Sequence, residues 1–156
     1  MPIDEAGFRE VLSHFPSGVT VVTTAIGDEL SGMTVASFAS LSLRPPLVLI
    51  CIEKSVKTHD AIARAGHFGV SILAANQTEV SNRFATKAED KFEGIPVRRA
   101  SLGSPLIEGA IAAMECRVTA QLPGGDHSIF VGEIAEATTA PGGPLLYFRS
   151  GYHELT

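Results

Sequence analysis

The sequence predicts a mainly β fold with a few short helices, its strands forming a closed or partly closed antiparallel barrel that the helices plug. Three observations carry this. Six or seven strand-like runs outnumber three short helical ones. The strands are not separated by regular crossover helices, which disfavours a doubly wound parallel sheet. Turn signals at Gly27-Asp28, Pro123-Gly124-Gly125-Asp126 and Pro141-Gly142-Gly143-Pro144 fall where antiparallel neighbours need them.

Phe8, Val11, Leu12 and Phe15 recur at i, i+3, i+4 and i+7, one apolar helical stripe, with Asp4 as its cap and Pro16 ending it. Gly18–Ile26, rich in Val and Thr, reads as a strand. Gly32–Leu43 reads as a second, with Met33, Val35, Ala39, Leu41 and Leu43 on one face and Thr34, Ser40 and Ser42 on the other. Pro45-Pro46 precedes Leu47–Ile52, a continuous apolar run that suits a strand buried on both faces. A helix from Ser55 to Ala65, a strand His67–Ala74, and a helix from about Asn76 to Phe84 follow, then a turn over Lys87–Phe92 closed by Gly94. In Gly109–Leu122, Met114, Cys116, Val118, Ala120 and Leu122 alternate with Glu115, Arg117, Thr119 and Gln121. Its hairpin partner runs from His127 to about Thr138, and Leu145–Arg149 is the last strand.

A chain of 156 residues buries a full core as one domain, here expected to span residues 1–156. With 45% hydrophobic and 19% charged residues it is not intrinsically disordered. The net charge of −5 and scattered basic residues leave no footprint for nucleic acid. The longest apolar run falls far short of the about 20 residues of a membrane span, and no signal peptide is read at MPIDEAGF. A soluble cytoplasmic domain is expected. Cys51 and Cys116 read as reduced, buried small hydrophobes, and five dispersed histidines give no metal-ligand spacing. No G-x-S-x-G, P-loop or G-x-G-x-x-G is present. The positive mean hydropathy of +0.22 points to a subunit interface, most simply a homodimer.

Three segments could carry chemistry. Gly32–Ser40 offers small side chains and hydroxyls to a flat ligand, although a half-exposed strand would look the same. Glu53-Lys54-Ser55-Val56-Lys57-Thr58 sits where a strand gives way to a helix, a ready anion site or a plain helix cap. Gly124-Gly125-Asp126-His127, with Leu146-Tyr147-Phe148-Arg149 and Tyr152, would stack on a planar ring and hold a phosphate, or simply pack the tail.

In order along the chain stand Phe15-Pro16-Ser17-Gly18-Val19-Thr20, Gly32-Met33-Thr34-Val35-Ala36-Ser37-Phe38, Ser40-Leu41-Ser42-Leu43-Arg44-Pro45-Pro46, Phe68-Gly69-Val70, Asp90-Lys91-Phe92, Pro105-Leu106-Ile107-Glu108-Gly109, Glu115-Cys116, Gly125-Asp126-His127 and Pro144-Leu145-Leu146-Tyr147-Phe148-Arg149. This ordered set, covering Phe8 to Tyr152, resembles the flavin reductase-like family. The resemblance implies a split β-barrel (Greek-key, FMN-binding split barrel type). It also implies a homodimeric NAD(P)H:flavin oxidoreductase that moves a hydride from NADH or NADPH to FMN or FAD and supplies reduced flavin to a partner monooxygenase.

By that resemblance Thr34, Val35, Ala36 and Ser37 line the isoalloxazine and ribityl chain, and Ser40 and Leu41 continue the wall. Cys51, Glu53, Ser55 and Thr58 surround the phosphate end, with Lys54 and Lys57 as charge partners. Arg83, Phe84 and Lys91 lie nearer the outer part of the flavin nucleotide, while His127, Tyr147 and Arg149 face the nicotinamide nucleotide. Arg44 stands where the family often has an acidic residue, and Ala36 where a second hydroxyl is common. Hydride transfer needs no general acid or nucleophile from the protein, so no catalytic residue is assigned beyond an orienting or proton-donating His127. The alternatives are a flavin carrier or sensor without turnover, or a split-barrel oxidoreductase that holds FMN and acts on a small organic substrate.

Overall fold

The computed structural model describes residues 2–155, and these hold three short helices and twelve strands. Helix α1 (Glu5–Leu12) starts as expected at Asp4, whose carboxylate accepts from the Gly7 N–H at 2.7 Å. It stops short of Pro16, because the Ser13 hydroxyl and the His14 ring both turn back onto the Glu10 carbonyl. Among the described residues its apolar stripe stays largely uncovered: Phe8, Val11, Leu12 and Phe15 are all more than half exposed.

Strands β1 (Ser17–Gly18), β2 (Thr20–Ile26), β3 (Glu29–Val35), β4 (Phe38–Ser42) and β5 (Leu47–Glu53) lead to α2 (Lys57–Ala65) and β6 (His67–Ile72). Then come α3 (Thr78–Phe84), a short β7 (Val97–Arg99) and β8 (Pro105–Ile107) pair, and the long hairpin of β9 (Ala112–Gly124) and β10 (His127–Thr139). The chain closes with β11 (Leu146–Phe148) and β12 (Gly151–His153), which form a small sheet with β1.

The main sheet is antiparallel, in the order β3-β2-β6-β9-β10-β5-β4. Its two edge strands, β3 and β4, are consecutive in the chain with only Ala36 and Ser37 between them. The sheet must therefore curl until its edges meet at this corner. Among the described residues no ladder joins β3 to β4, so the barrel stays split. The single strand expected over Gly32–Leu43 is thus two, one at each edge.

Other boundaries shift for local reasons. Gly18 belongs to β1, not to the following strand. α2 begins at Lys57, two residues after Ser55. α3 is preceded by Gln77 instead of Asn76, and the Gln77 side chain accepts from the Ala74 N–H and donates to the Glu108 carbonyl. Between β9 and β10 only Gly125 and Asp126 turn, since Pro123 and Gly124 still pair with β10. The last expected strand stops at Phe148, because Arg149 and Ser150 take positive φ in a tight turn into β12.

Burial alternates differently from the expectation. The strand buried on both faces is β2, not β5: Val22 faces the barrel core with Phe68 and Phe130, while Val21 faces a second cluster with Leu73 and Phe84. Its threonines fit that place because the hydroxyls of Thr20, Thr23 and Thr24 donate to the carbonyls of Val35, Pro105 and His67. In β5 Val48, Ile50 and Ile52 are buried, whereas Leu47, Leu49 and Cys51 on the other face are only half covered. Glu115 is fully buried; its carboxylate accepts from the N–H groups of Leu102 (2.7 Å) and Ser104 (2.8 Å), pinning the loop outside β9. Both cysteines are free. Burial, reinforced by the neighbouring Glu115 charge, pushes the Cys116 thiol up to about 12, which leaves it inert at neutral pH.

Candidate functional site

A cleft of about 620 Å³ opens beside the β3 edge, within the range of small-molecule sites. Three stretches build it: Leu30–Thr34 of β3, Glu53 and Ser55–Thr58 where β5 passes into α2, and the segment that follows α3 from Phe84 to Phe92. Because β3 pairs only with β2, its outer backbone groups face the cleft instead of another strand.

Two aromatic rings pack directly onto β3. Phe84 and Phe92 meet edge to face at 4.9 Å, and they press against Gly32 so closely that a Cβ there would lie 3.0 Å from Phe92 and 3.1 Å from Phe84. Only glycine lets the strand run this close to the two rings. Lys91 crosses the wall and donates from Nζ to the Gly32 carbonyl at 3.0 Å and to the Phe84 carbonyl at 3.4 Å. Its third proton is free for a ligand, and burial holds its pKa below the ordinary lysine value. The Thr34 hydroxyl donates to the Ser81 carbonyl at 2.6 Å, which ties β3 to α3 and leaves the oxygen free to accept.

At the other end α2 begins without a side-chain cap. Its first N–H groups point outward with the positive end of the helix dipole, beside Ser55, Lys57 and Thr58. That is an anion seat. The Lys57 ammonium lies 3.5 Å from Glu29 across the mouth. Next to this seat the Lys54 N–H donates to the Asp126 carbonyl at 2.9 Å, and Glu53 lies opposite His127 in the β5–β10 ladder. His59, buried in α2, reaches Ser128 at 2.7 Å, so the helix start and the hairpin tip are braced together. His127 is half exposed and contacts Asp126 at 2.7 Å; that hydrogen bond and the imidazolium charge hold the Asp126 carboxyl below its usual range.

Of the residues singled out from sequence, Thr34, Glu53, Ser55, Lys57, Thr58, Phe84 and Lys91 line this one cleft. Val35, Ala36 and Ser37 form the adjoining corner, where the Ser37 hydroxyl donates to the Cys51 carbonyl at 2.9 Å. Ser40, Leu41 and Cys51 continue away from the cleft along β4 and β5, and Lys54 is exposed beside the seat. Arg83 braces the following segment by donating to the Glu93 carbonyl. Tyr147 lies on the small sheet and packs on Tyr152, and Arg149, in the turn from β11 to β12, is engaged by His14 just after α1 (3.0 Å) and by Glu10 of α1 (3.3 Å). Gly32 and Met33 fall within the Gly32–Ser40 segment singled out from sequence, whereas sequence reasoning missed Phe92 as a wall and the Ala85–Glu89 rim. A Phe-x7-Phe pair flanking a lysine was the available signal.

Residues 12–156 match the flavin reductase like domain. The chain is 42% identical over 151 residues to the reductase component of a 4-nitrophenol 4-monooxygenase/4-nitrocatechol 2-monooxygenase from Rhodococcus opacus, covering 97% of this chain and 81% of that one. It is 43% identical over 140 residues to an FMN reductase (NADH) from Agrobacterium fabrum, covering 90% and 80%. Among solved structures, an NADH:FAD oxidoreductase from Streptomyces globisporus in complex with NAD and FAD fragments superposes with a TM-score of 0.94 at 39% identity, covering 98% of this chain and 93% of that one. The wrapped sheet, the aromatic-walled cleft and these matches agree: the chain belongs to the flavin reductase-like family.

Proposed function

We propose that the chain takes a hydride from NADH and delivers reduced flavin to a separate monooxygenase, as the reductase of a two-component pair. The observation that carries this is a cleft that runs along an edge strand, with phenylalanines packed against that strand, and ends at an uncapped helix start. A tricyclic ring with a phosphorylated tail needs that combination. When bound, the flavin and the nicotinamide supply the redox chemistry themselves.

The residues of the chain bind and orient. The open backbone groups of β3 and of the Val35-Ala36-Ser37 corner meet the polar edge of the ring, with the Thr34 oxygen as a further acceptor. Phe92, with Phe84 buried behind it, makes one end of the cleft apolar. Ser55, Thr58 and the first N–H groups of α2 hold the phosphate, with Lys57 and Lys54 adding charge. Lys91 offers its remaining proton from the wall.

His127, beside Glu53 at the hairpin tip, orients the nicotinamide. Tyr147 and Arg149 reach that ligand only across a second protomer. A homodimer is supported by the uncovered stripe of α1 and by the half-covered outer face of β5. A supply of reduced nicotinamide supports a cytoplasmic location. No helix among the described residues is long and apolar enough to cross a membrane.

The test is NADH oxidation at 340 nm with and without added FMN or FAD. Turnover that requires added flavin supports the proposal; flavin binding without NADH oxidation would make the chain a carrier.

A further inference from the structure

His59, in the first turn of α2, is buried with its ring edge to face on Phe130 at 5.2 Å. Both ring nitrogens are engaged. Nδ1 lies 3.0 Å from an Asp60 carboxylate oxygen, which can only accept, so Nδ1 carries a proton. In the neutral ring Nε2 then accepts from the buried Ser128 hydroxyl at 2.7 Å. An apolar side chain would pack on Phe130 as well; what the polar pair adds is a fixed direction and length. Among the described residues no other hydrogen bond joins α2 to β10.

Resting on the flavin reading, we infer that His59 is a positioning residue for hydride transfer: through Ser128 it sets the separation between the anion seat and His127. Different elements hold the two ends of the reaction. His127 is locked to β5, opposite Glu53 in the ladder. Because side chains alternate along a strand, the inward-turned Ser128 commits His127 to the face of Glu53, which lines the cleft. The seat belongs to α2, which follows β5 through Lys54-Ser55-Val56. That turn is closed by a long hydrogen bond, 3.4 Å from the Val56 N–H to the Glu53 carbonyl. The ladder therefore fixes His127 without fixing the helix. His59 follows Thr58 at the seat and grips the neighbour of His127, so its bond supplies the constraint between them. Without it a flavin keeps its phosphate contacts and a nicotinamide keeps His127. What loosens is the distance from donor carbon to acceptor nitrogen, on which the hydride step depends steeply.

The experiment is a single turnover: the chain loaded with FMN is mixed with excess NADH, and the loss of flavin absorbance is followed well below Tm. The samples are wild type, Ser128→Ala, His59→Leu, His59→Gln and the double variant of Ser128→Ala with His59→Leu, each with its FMN Kd and half-saturating NADH concentration. Expected is a rate at saturating NADH about tenfold lower in Ser128→Ala and His59→Leu, with both binding constants held. The double variant is no slower than either single one, because one bond is lost in all three. His59→Gln, whose amide reaches the Nε2 position, keeps most of the rate. Should His59→Leu fail to fold, Ser128→Ala, which removes one oxygen atom, carries the test. A lowered Tm with an unchanged rate would overturn the inference and leave His59 a structural brace. So would a rate loss that His59→Gln does not rescue, or a loss explained by a weaker FMN Kd. A wild-type chain that binds FMN but does not reduce it, or does not bind it, would overturn the flavin reading and this inference together.

Discussion

Lys91→Met separates what holds the cleft together from what fills it. The ammonium donates to two carbonyls, Gly32 on the edge strand and Phe84 on the aromatic wall, but the second contact is long at 3.4 Å. One effective charge-assisted bond on a partly exposed side chain contributes about 1 kcal/mol. In a chain of 156 residues that lowers Tm by about 2–4 °C. The free proton is worth more to an anionic ligand in the cleft, about 1.5–3 kcal/mol, or roughly ten- to a hundredfold in Kd for FMN. Thermal melts and fluorescence titration of one sample read both effects. The pH dependence has opposite signs for the two. Burial lowers the Lys91 pKa, so as pH rises the folded chain loses this charge before an exposed lysine would, and FMN affinity falls. Over the same interval the cost of burying the charge is relieved, so Lys91's own contribution to stability rises. A lowered Tm with unchanged FMN affinity would refute the ligand role and leave Lys91 a staple between wall and strand.

Four further outcomes are expected. His127→Ala raises the KM for NADH while flavin affinity holds; unchanged NADH kinetics would reduce His127 to a turn residue. Glu115→Ala strands the buried N–H groups of Leu102 and Ser104, costing about 3–5 kcal/mol in urea unfolding; a cost under about 1 kcal/mol would show that the loop is held by other contacts. Burial lowers the His67 pKa against the raising effect of Glu115, so folding stability falls as pH drops through and below about 6.5, and His67→Gln flattens that dependence in melts at stepped pH. Phe8→Glu, on a stripe left largely uncovered among the described residues, converts a dimer into monomers by sedimentation; a wild-type chain already monomeric at micromolar concentration would contradict the homodimer.

The mainly β fold was legible because turn chemistry and period-two alternation are local properties, as in β9, Gly125-Asp126 and β10. The break between β3 and β4 was not. Thr34-Val35-Ala36-Ser37-Phe38 has no glycine or proline, and what parts it is the demand that one segment serve both edges of a curled sheet. The run Leu47–Ile52 read as doubly buried because its composition fits burial on both faces, yet a single chain covers only one. The burial of Glu115 was not legible, because alternation put it on the face of Arg117 and Thr119 and reports which side a residue takes, not what lies over it. In the site, the β5–α2 junction and Thr34 were legible as a strand end, a helix start and a hydroxyl. Phe92 and the Ala85–Glu89 rim were not, since only tertiary packing brings that segment over β3.

The most direct measurement is a crystal structure of the chain with bound FMN. The ring should lie in the cleft against the Val35-Ala36-Ser37 corner, its phosphate within hydrogen-bond reach of the first N–H groups of α2, its other face open toward His127. A flavin bound elsewhere, or one whose phosphate turns away from α2, would contradict the assignment of this cleft.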